Sequence, residues 1–328
     1  MNAAKALWLA RRGRFGALFG LVTVLLFRRN LYYERQLRRE GDLAKRSVHG
    51  YEMYLDIADS GIARTLLSYG THEQRSVSVF RDELRALADD VSGDLTVLDI
   101  GANVGYFDLM AASVLGERAT VHAIEPAPEN VTLLERNVAL NDYEDRVTVE
   151  RCALGDKNVA AELRLAERAN CHTIHVPPVA PASDGDALPD GADRTASPRP
   201  SEDMVSVPQV TGDRFLAGRD VAPEDVNVVR MDVEGYETAV MAGLTDVLDA
   251  SGPLVLYFEF HPWQVDPVAA RETLATLAEN GFEMVSTISE SGYDVRWQST
   301  WYGTELDIDV FDDLLDAPGW VEAVAHRR

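Results

Sequence analysis

Lysine is nearly missing from this chain of 328 residues. Of 31 basic residues only Lys5, Lys45 and Lys157 are lysine; the rest are arginine. Against them stand 54 Asp and Glu, leaving a net charge of −23. So acidic a body with so little lysine points to a proteome adapted to high salt, as in a halophilic archaeon, where screening removes self-repulsion. It also argues against nucleic acid as a partner, because phosphate recognition needs basic surface. Cysteine is as scarce. Cys152 and Cys171 are too few for a disulfide framework or a zinc site and fit a reducing compartment. Long apolar runs are absent too. FGALFGLVTVLLF, residues 15–27, has 13 residues, short of the roughly 17–25 that span a bilayer.

What is present is organised around VLDIGANVG, residues 97–105. An apolar strand runs into Gly101-Ala102-Asn103-Val104-Gly105 and then into a helical run from Tyr106 to Leu115. Glycine belongs where backbone takes positive φ or lies against a ligand, and the helix start offers free N–H groups. The next strand, VHAIEP, ends in Glu125, 20 positions after Gly105. That is about the spacing at which a second-strand carboxylate meets a ribose diol. A dinucleotide fingerprint wants a third glycine, and Asp99 before the turn would repel a pyrophosphate. Asp99 would attract the sulfonium and amino group of S-adenosylmethionine, directly or through water. Asp99, Gly101, Asn103, Gly105 and Glu125 are therefore the candidate cofactor residues. Asp156, after the third strand, is added as a contact to the adenine edge.

Residues 1–46 form a separate region. They hold eleven basic and three acidic side chains, a net +8, so the remainder carries −31. Arginines flank the apolar run at both ends. This favours a helix lying on an anionic membrane surface, at the inner face of the membrane of a cytoplasmic protein. A helix packed on the body, a span and a signal peptide are the alternatives. Residues 47–94 read as a helical lead-in, with Gly70–Arg75 as a polar loop that either caps the cofactor pocket or is a solvated connector.

From residue 95 strands and helices alternate, predicting a doubly wound, mostly parallel α/β sheet with helices on both faces. The catalytic domain is placed at 95–310, with 177–203 as a disordered Pro/Ala/Asp-rich insertion and 311–328 as a tail. VNVVRMDVEGYE puts Asp232 and Glu234 at the end of a fourth strand, on one face if the strand continues. PLVLYFEF, almost entirely apolar, reads as a central strand leading to Glu259 and His261.

DIGANVG, Glu125-Pro126, Cys152-Ala153-Leu154-Gly155-Asp156, Thr211-Gly212-Asp213, RMDVEGYE and FEFHP, in this order, resemble the FkbM-type family of S-adenosylmethionine-dependent methyltransferases. The resemblance covers roughly residues 47–310. Arg230 stands where the family often has Lys. The resemblance implies a seven-stranded, Rossmann-like class I sheet and O-methylation of a small molecule, commonly a sugar or polyketide hydroxyl, here a glycan or lipid-linked sugar. A hydroxyl acceptor must lose a proton. His261 is the candidate base, with Asp232 and Glu259 as orienting groups, or all three as ligands of a divalent metal. Tyr236, Trp263 and Trp301 are candidates to stack on a sugar ring. The competing reading is an inactive membrane-associated scaffold that kept the fold; a nicotinamide-dependent reductase is disfavoured by the glycine count and Asp99.

Overall fold

The protein is described from a computed structural model. The described residues are 15–27, 38–59, 61–165, 172–175, 204–289, 304–317 and 319–327, with residues 7, 10, 11 and 13. The expected insertion at 177–203, Cys171 and Trp301 lie outside them.

The chain begins with helix α1 (Phe15–Phe27) and continues as an antiparallel sheet of β1 (Arg38–Glu40), β2 (Leu43–Val48) and β3 (Tyr51–Asp56). The helical lead-in expected from residue 47 is corrected here. Tyr51, Met53 and Leu55 are buried alternately with half-buried Glu52, Tyr54 and Asp56, the two-residue period of a strand. The expected boundary at residue 46 cuts β2. Helices α2 (Ile62–Tyr69) and α3 (Gln74–Asp90) follow, and α3 buries Val77, Phe80, Leu84 and Leu87 along one face.

The body then alternates: β4 (Leu95–Ile100), α4 (Tyr106–Leu115), β5 (Ala119–Ile124), α5 (Pro128–Leu140) and β6 (Val147–Glu150). After β7 (Ala153–Leu154), β8 (Val159–Arg164), β9 (Thr173–His175) and β10 (Met204–Val210) come α6 (Gly212–Ala217) and β11 (Val226–Met231). The remaining elements are α7 (Glu237–Ala242), α8 (Thr245–Asp249), β12 (Leu254–Phe260), α9 (Pro267–Glu279), β13 (Glu283–Ser289), β14 (Thr304–Glu305) and β15 (Val321–Arg327). Thr211 caps α6 by accepting from the Arg214 N–H, and Asp266 caps α9 through Val268 and Ala269.

The main sheet has the order β14-β13-β15-β12-β11-β4-β5-β6. Strands β12, β11, β4, β5 and β6 are mutually parallel, and β15 lies antiparallel between β12 and β13. Without the two-residue edge β14 this is the expected seven-stranded, mostly parallel sheet. One boundary is corrected: 311–328 is not a tail. Val321–Ala325 is fully buried, and the strand completes the inside of the sheet. Both its faces are covered, so burial does not alternate along it, and even Glu322 is enclosed.

A second sheet, β7-β10-β8-β9, stands over the carboxyl end of β5 and β6. The β2–β3 hairpin is tied to α5 by two asparagines that imitate a partner strand. Asn137 Oδ1 accepts from the Tyr54 N–H at 2.7 Å, and its Nδ2 donates to the Val104 carbonyl at 2.8 Å. Asn141 pairs with both backbone groups of Glu52 at 2.8 Å. An edge satisfied this way does not invite another strand.

Candidate active site

The strand order reverses between β4 and β11, and α/β sheets bind ligands outside the carboxyl ends of strands at such a switch point. Gly101 follows β4 at φ +88°, and its N–H donates to the Ile124 carbonyl at 2.9 Å. A Cβ there would stand 2.0 Å from the Asp232 carbonyl oxygen; at Gly105, φ +92°, it would stand 2.5 Å from Leu134 Cδ1. Both glycines are demanded by close backbone packing. They bring the loop after β11 against the loop after β4, and α5 against the start of α4.

Asn103, at φ +52°, aims its N–H at Glu125 Oε2 at 2.8 Å, while Glu125 Oε1 accepts from the Ala127 N–H at 2.8 Å. Glu125 is buried. Burial pushes its carboxyl up to about 7 against the opposing pull of those two N–H groups. It forms one wall of a cleft open to solvent, lined also by Gly101, Asn103, Ile124, Leu154, Leu163 and Ile174. The carboxylate suits a ribose diol, and the apolar faces, from β5 on one side and the second sheet on the other, suit an adenine. Those residues fit S-adenosylmethionine.

Two expected cofactor contacts are corrected. Asp99 does not face the cavity. It is buried behind the turn, where its Oδ1 accepts from Arg230 Nη1 at 2.9 Å. Asp156 is exposed, pairs with Lys157 Nζ at 2.9 Å and lies outside the cavity lining. A carboxylate in a turn has water and a neighbouring lysine as cheaper partners than a ligand.

The other side of the switch point is crowded with charge. Arg230, inside β11, reaches Asp99 and the Gly101 carbonyl through Nη1 and Asp232 Oδ2 through Nη2 at 3.0 Å, with its guanidinium 4.1 Å above the Phe107 ring. Burial alone would lower its pKa; Asp99 and Asp232 more than reverse that, so it stays charged. The planar fork lets one side chain meet both carboxylates and stack on the ring at once. Strand β11 ends at Met231, so Asp232 and Glu234 do not share a strand face. Asp232 turns back to Arg230, and Glu234 continues into a loop at φ +52°.

His261 follows β12 and is buried. Its Nδ1 stands 2.7 Å from Glu237 Oε1, and its Nε2 3.2 Å from Glu259 Oε1 and 3.6 Å from Glu234 Oε2. Burial by itself would lower the imidazole pKa, but the hydrogen bonds to Glu237 and Glu259 raise it to about 11. This corrects the reading of His261 as the base: Glu237 holds one ring nitrogen and Glu259 the other, so neither faces an acceptor. It is a fixed cation that orients carboxylates.

The structure thus brings Asp232, Glu259 and His261 together as expected and adds residues that sequence spacing did not reveal. Glu237 was within the RMDVEGYE motif but gave no separate signal. Glu322 faces Glu259 across the β12–β15 pair, accepts from the Tyr257 hydroxyl at 2.5 Å and has its carboxyl held well up by burial and then by Glu73 and Glu259. Glu73, in the Gly70–Arg75 loop, pairs with His72 Nε2 at 2.9 Å. That loop does not line the cavity. It is tied to the start of α4 through the Tyr106 hydroxyl, which lies 3.2 Å from the His72 backbone N and 2.9 Å from His49 Nε2. Among the described residues, no three or more His, Cys, Asp or Glu side chains are placed to hold a metal ion. Tyr236 lines the cavity and donates to Gln209 at 3.0 Å; Trp263 is 57% exposed beside His261.

A sheet of this order with one antiparallel strand, a glycine turn after its first core strand and a carboxylate ending the second defines a class I methyltransferase fold with S-adenosylmethionine as its cofactor. Residues 99–284 match the methyltransferase FkbM domain, and the chain belongs to that family. It is 27% identical over 203 residues to 31-O-demethyl-FK506 methyltransferase FkbM of Streptomyces tacrolimicus, covering 59% of this chain and 74% of that one. With hexuronic acid methyltransferase AglP of Haloferax volcanii it shares 25% over 187 residues, 57% of this chain and 64% of that one. A tRNA wybutosine-synthesizing protein 2 homolog of Danio rerio is 38% identical over 93 residues, 28% of this chain and 22% of that protein.

Proposed function

We propose that the protein is an O-methyltransferase that uses S-adenosylmethionine to methylate a hydroxyl of a small molecule or of a glycan or lipid-linked sugar. The observation that carries this reading is a shared wall: Asp232 and Glu234 line the cavity that holds Glu125 and also belong to the cluster around His261. When bound, the cofactor supplies an electrophilic methyl group on a sulfonium. Glu125 would hold the ribose, and Ile124, Leu154, Leu163 and Ile174 the adenine. Asp232 and Glu234 would face the methyl end, leaving Glu259 and His261 to position an acceptor that enters beside Trp263. Resemblance to a hexuronic acid methyltransferase supports a glycan acceptor.

The first test is calorimetric titration with S-adenosylhomocysteine in concentrated KCl, which suits a chain of net charge −23. Saturable binding by the wild type, weakened about 10–100-fold in Glu125→Ala, is the expected result. A folded wild type that binds nothing overturns the enzyme reading in favour of the scaffold alternative.

Membrane attachment forms the second part of the proposal. No helix among the described residues is long and apolar enough to cross a bilayer. On α1, however, Phe15, Phe19, Val22 and Leu26 are exposed at intervals of three and four residues, one stripe of a helix. With flanking arginines, such a stripe suits an anionic membrane surface on the cytoplasmic side. Removing residues 1–46 would also remove most of β2, so the test is the full chain with Phe15, Phe19 and Leu26 changed to Ser. Loss of flotation with anionic vesicles is expected; flotation equal to wild type would remove the anchor.

A further inference from the structure

We infer that Glu234 is the base that takes the acceptor's proton. The inference deepens the proposed transfer reaction and rests on it.

Four carboxylates surround the fixed cation His261, and their settings differ. Glu237 is fully buried, and its Oε1 is engaged by His261 and by the Gly235 N–H at 2.9 Å. Glu259 is 13% exposed, hydrogen-bonded to His261, and does not line the cavity. Asp232 lines the cavity, yet Arg230 neutralises it. Glu234 also lines the cavity, is 21% exposed, and meets only the edge of a cation, His261 Nε2 at 3.6 Å. Of the four, it alone is both reachable from the cavity and not consumed by a short hydrogen bond.

The backbone is bent to put it there. Glu234 and Gly235 take consecutive positive φ values of +52° and +94°, and glutamate rarely occupies that region. The hook is held from three sides. Asp232 N–H bonds to the Ile100 carbonyl at 3.0 Å, the Asp232 carbonyl presses on Gly101, and Gly235 packs so tightly on Gln264 that a Cβ would stand 2.6 Å from Gln264 Cβ. Strain of this kind persists where surrounding structure imposes it, and it gathers at functional sites.

The proton balance is straightforward. As the acceptor oxygen bonds to the methyl carbon, the carbon–sulfur electron pair stays with sulfur and the hydroxyl proton passes to Glu234. The sulfonium charge and the carboxylate charge vanish together, so the cavity's net charge is unchanged. The groups that face Glu234 are Asp232 on its own loop, Glu237 on α7, His261 after β12, whose Nε2 also meets Glu259, and Glu73 from the loop before α3. Burial first, then Asp232, raises the Glu234 carboxyl to about 7, with His261 pulling the other way. A base with that value is half ionised at neutral pH and well matched to its task.

A bound sulfonium beside Glu234 favours the carboxylate form; a neutral thioether does not. The test therefore compares S-adenosylmethionine with S-adenosylhomocysteine by calorimetry at pH 7, in two buffers of different ionisation enthalpy, to count the protons released. Glu125 meets the same ribose in both ligands, so its protons cancel in the difference. Wild type should release up to about half a proton more with the sulfonium. Glu234→Gln should bind S-adenosylhomocysteine within about threefold of wild type, showing that it folds, and lose the difference. Equal proton release with both ligands in wild type overturns the assignment. So does an undiminished difference in the variant. A variant that no longer binds S-adenosylhomocysteine overturns it as well, because Glu234 would then hold the cofactor or the fold. A wild type that binds neither ligand removes the cofactor reading itself, and the base with it.

Discussion

The two halves of the switch point solve different problems. On the β4–β5 side, one carboxylate is set by two backbone N–H groups at 2.8 Å and a pair of glycines. Everything needed is local, and little of it is charged. On the β11–β12 side, Asp99, Asp232, Glu234, Glu237, Glu259, Glu73 and Glu322 converge around Arg230 and His261. The first arrangement is bought with backbone conformation, the second with mutual compensation of buried charge. A site of the first kind tolerates loss of its carboxylate as a fold; a site of the second kind is a structural element in its own right.

The largest expected effect breaks that comparison directly. Arg230→Met leaves Asp99 and Asp232 without their cation, and breaking a buried pair costs about 3–5 kcal/mol. Urea denaturation should show the loss. A cost below about 1 kcal/mol would mean the carboxylates can shed their charge without help. Next comes Asn137→Ala, which frees both Tyr54 backbone groups and the Val104 carbonyl. It should cost about 1–3 kcal/mol, with faster hydrogen exchange confined to β3. Glu125→Ala should weaken S-adenosylhomocysteine binding about 10–100-fold, or about 1.4–2.8 kcal/mol, while moving the melting temperature little.

Acidity sharpens the contrast between the halves. Glu125 and Glu234 sit at about 7 against an ordinary 4.5, and His261 at about 11 against 6.5. In all three the folded state holds its proton to higher pH than the unfolded state. Their stabilising contribution is complete below the unfolded value and is lost as pH rises through the folded one. Ligand-free protein should therefore melt lower at about pH 8.5 than at about pH 5.5, and Glu125→Gln should flatten part of that slope. The smallest effect belongs to Asp156→Ala. A solvent-exposed pair with Lys157 adds little, and binding of S-adenosylhomocysteine should stay within about twofold.

Legibility followed the same division. The glycine turn, Glu125 and the alternation from Leu95 to Phe260 are written in neighbouring residues, so the sequence carries the core order and half of the site. Asp99 misled because its position before the glycines is the same whether its side chain faces a ligand or a buried arginine 131 residues away. His261 misled because a lone histidine is read with its free-solution acidity, which Glu237, 24 residues earlier, changes completely. β3 reads as a helix start because its apolar residues are bunched, and the period of two emerges only against α5. Glu322 and Glu73 gave no local sign at all, since their meeting depends on β15 entering the sheet beside β12.

That entry of β15 has a consequence for synthesis. Residues 321–327 form seven paired positions along β12, in the middle of the sheet. Until they leave the ribosome, β12 presents a bare, apolar edge, and β13 has no partner to hold it against the body. Edges of this kind recruit other chains, and contacts so distant in sequence form late. A nascent or prematurely terminated product ending before Val321 should therefore gather into aggregates, even though every residue of the cofactor half has already been made.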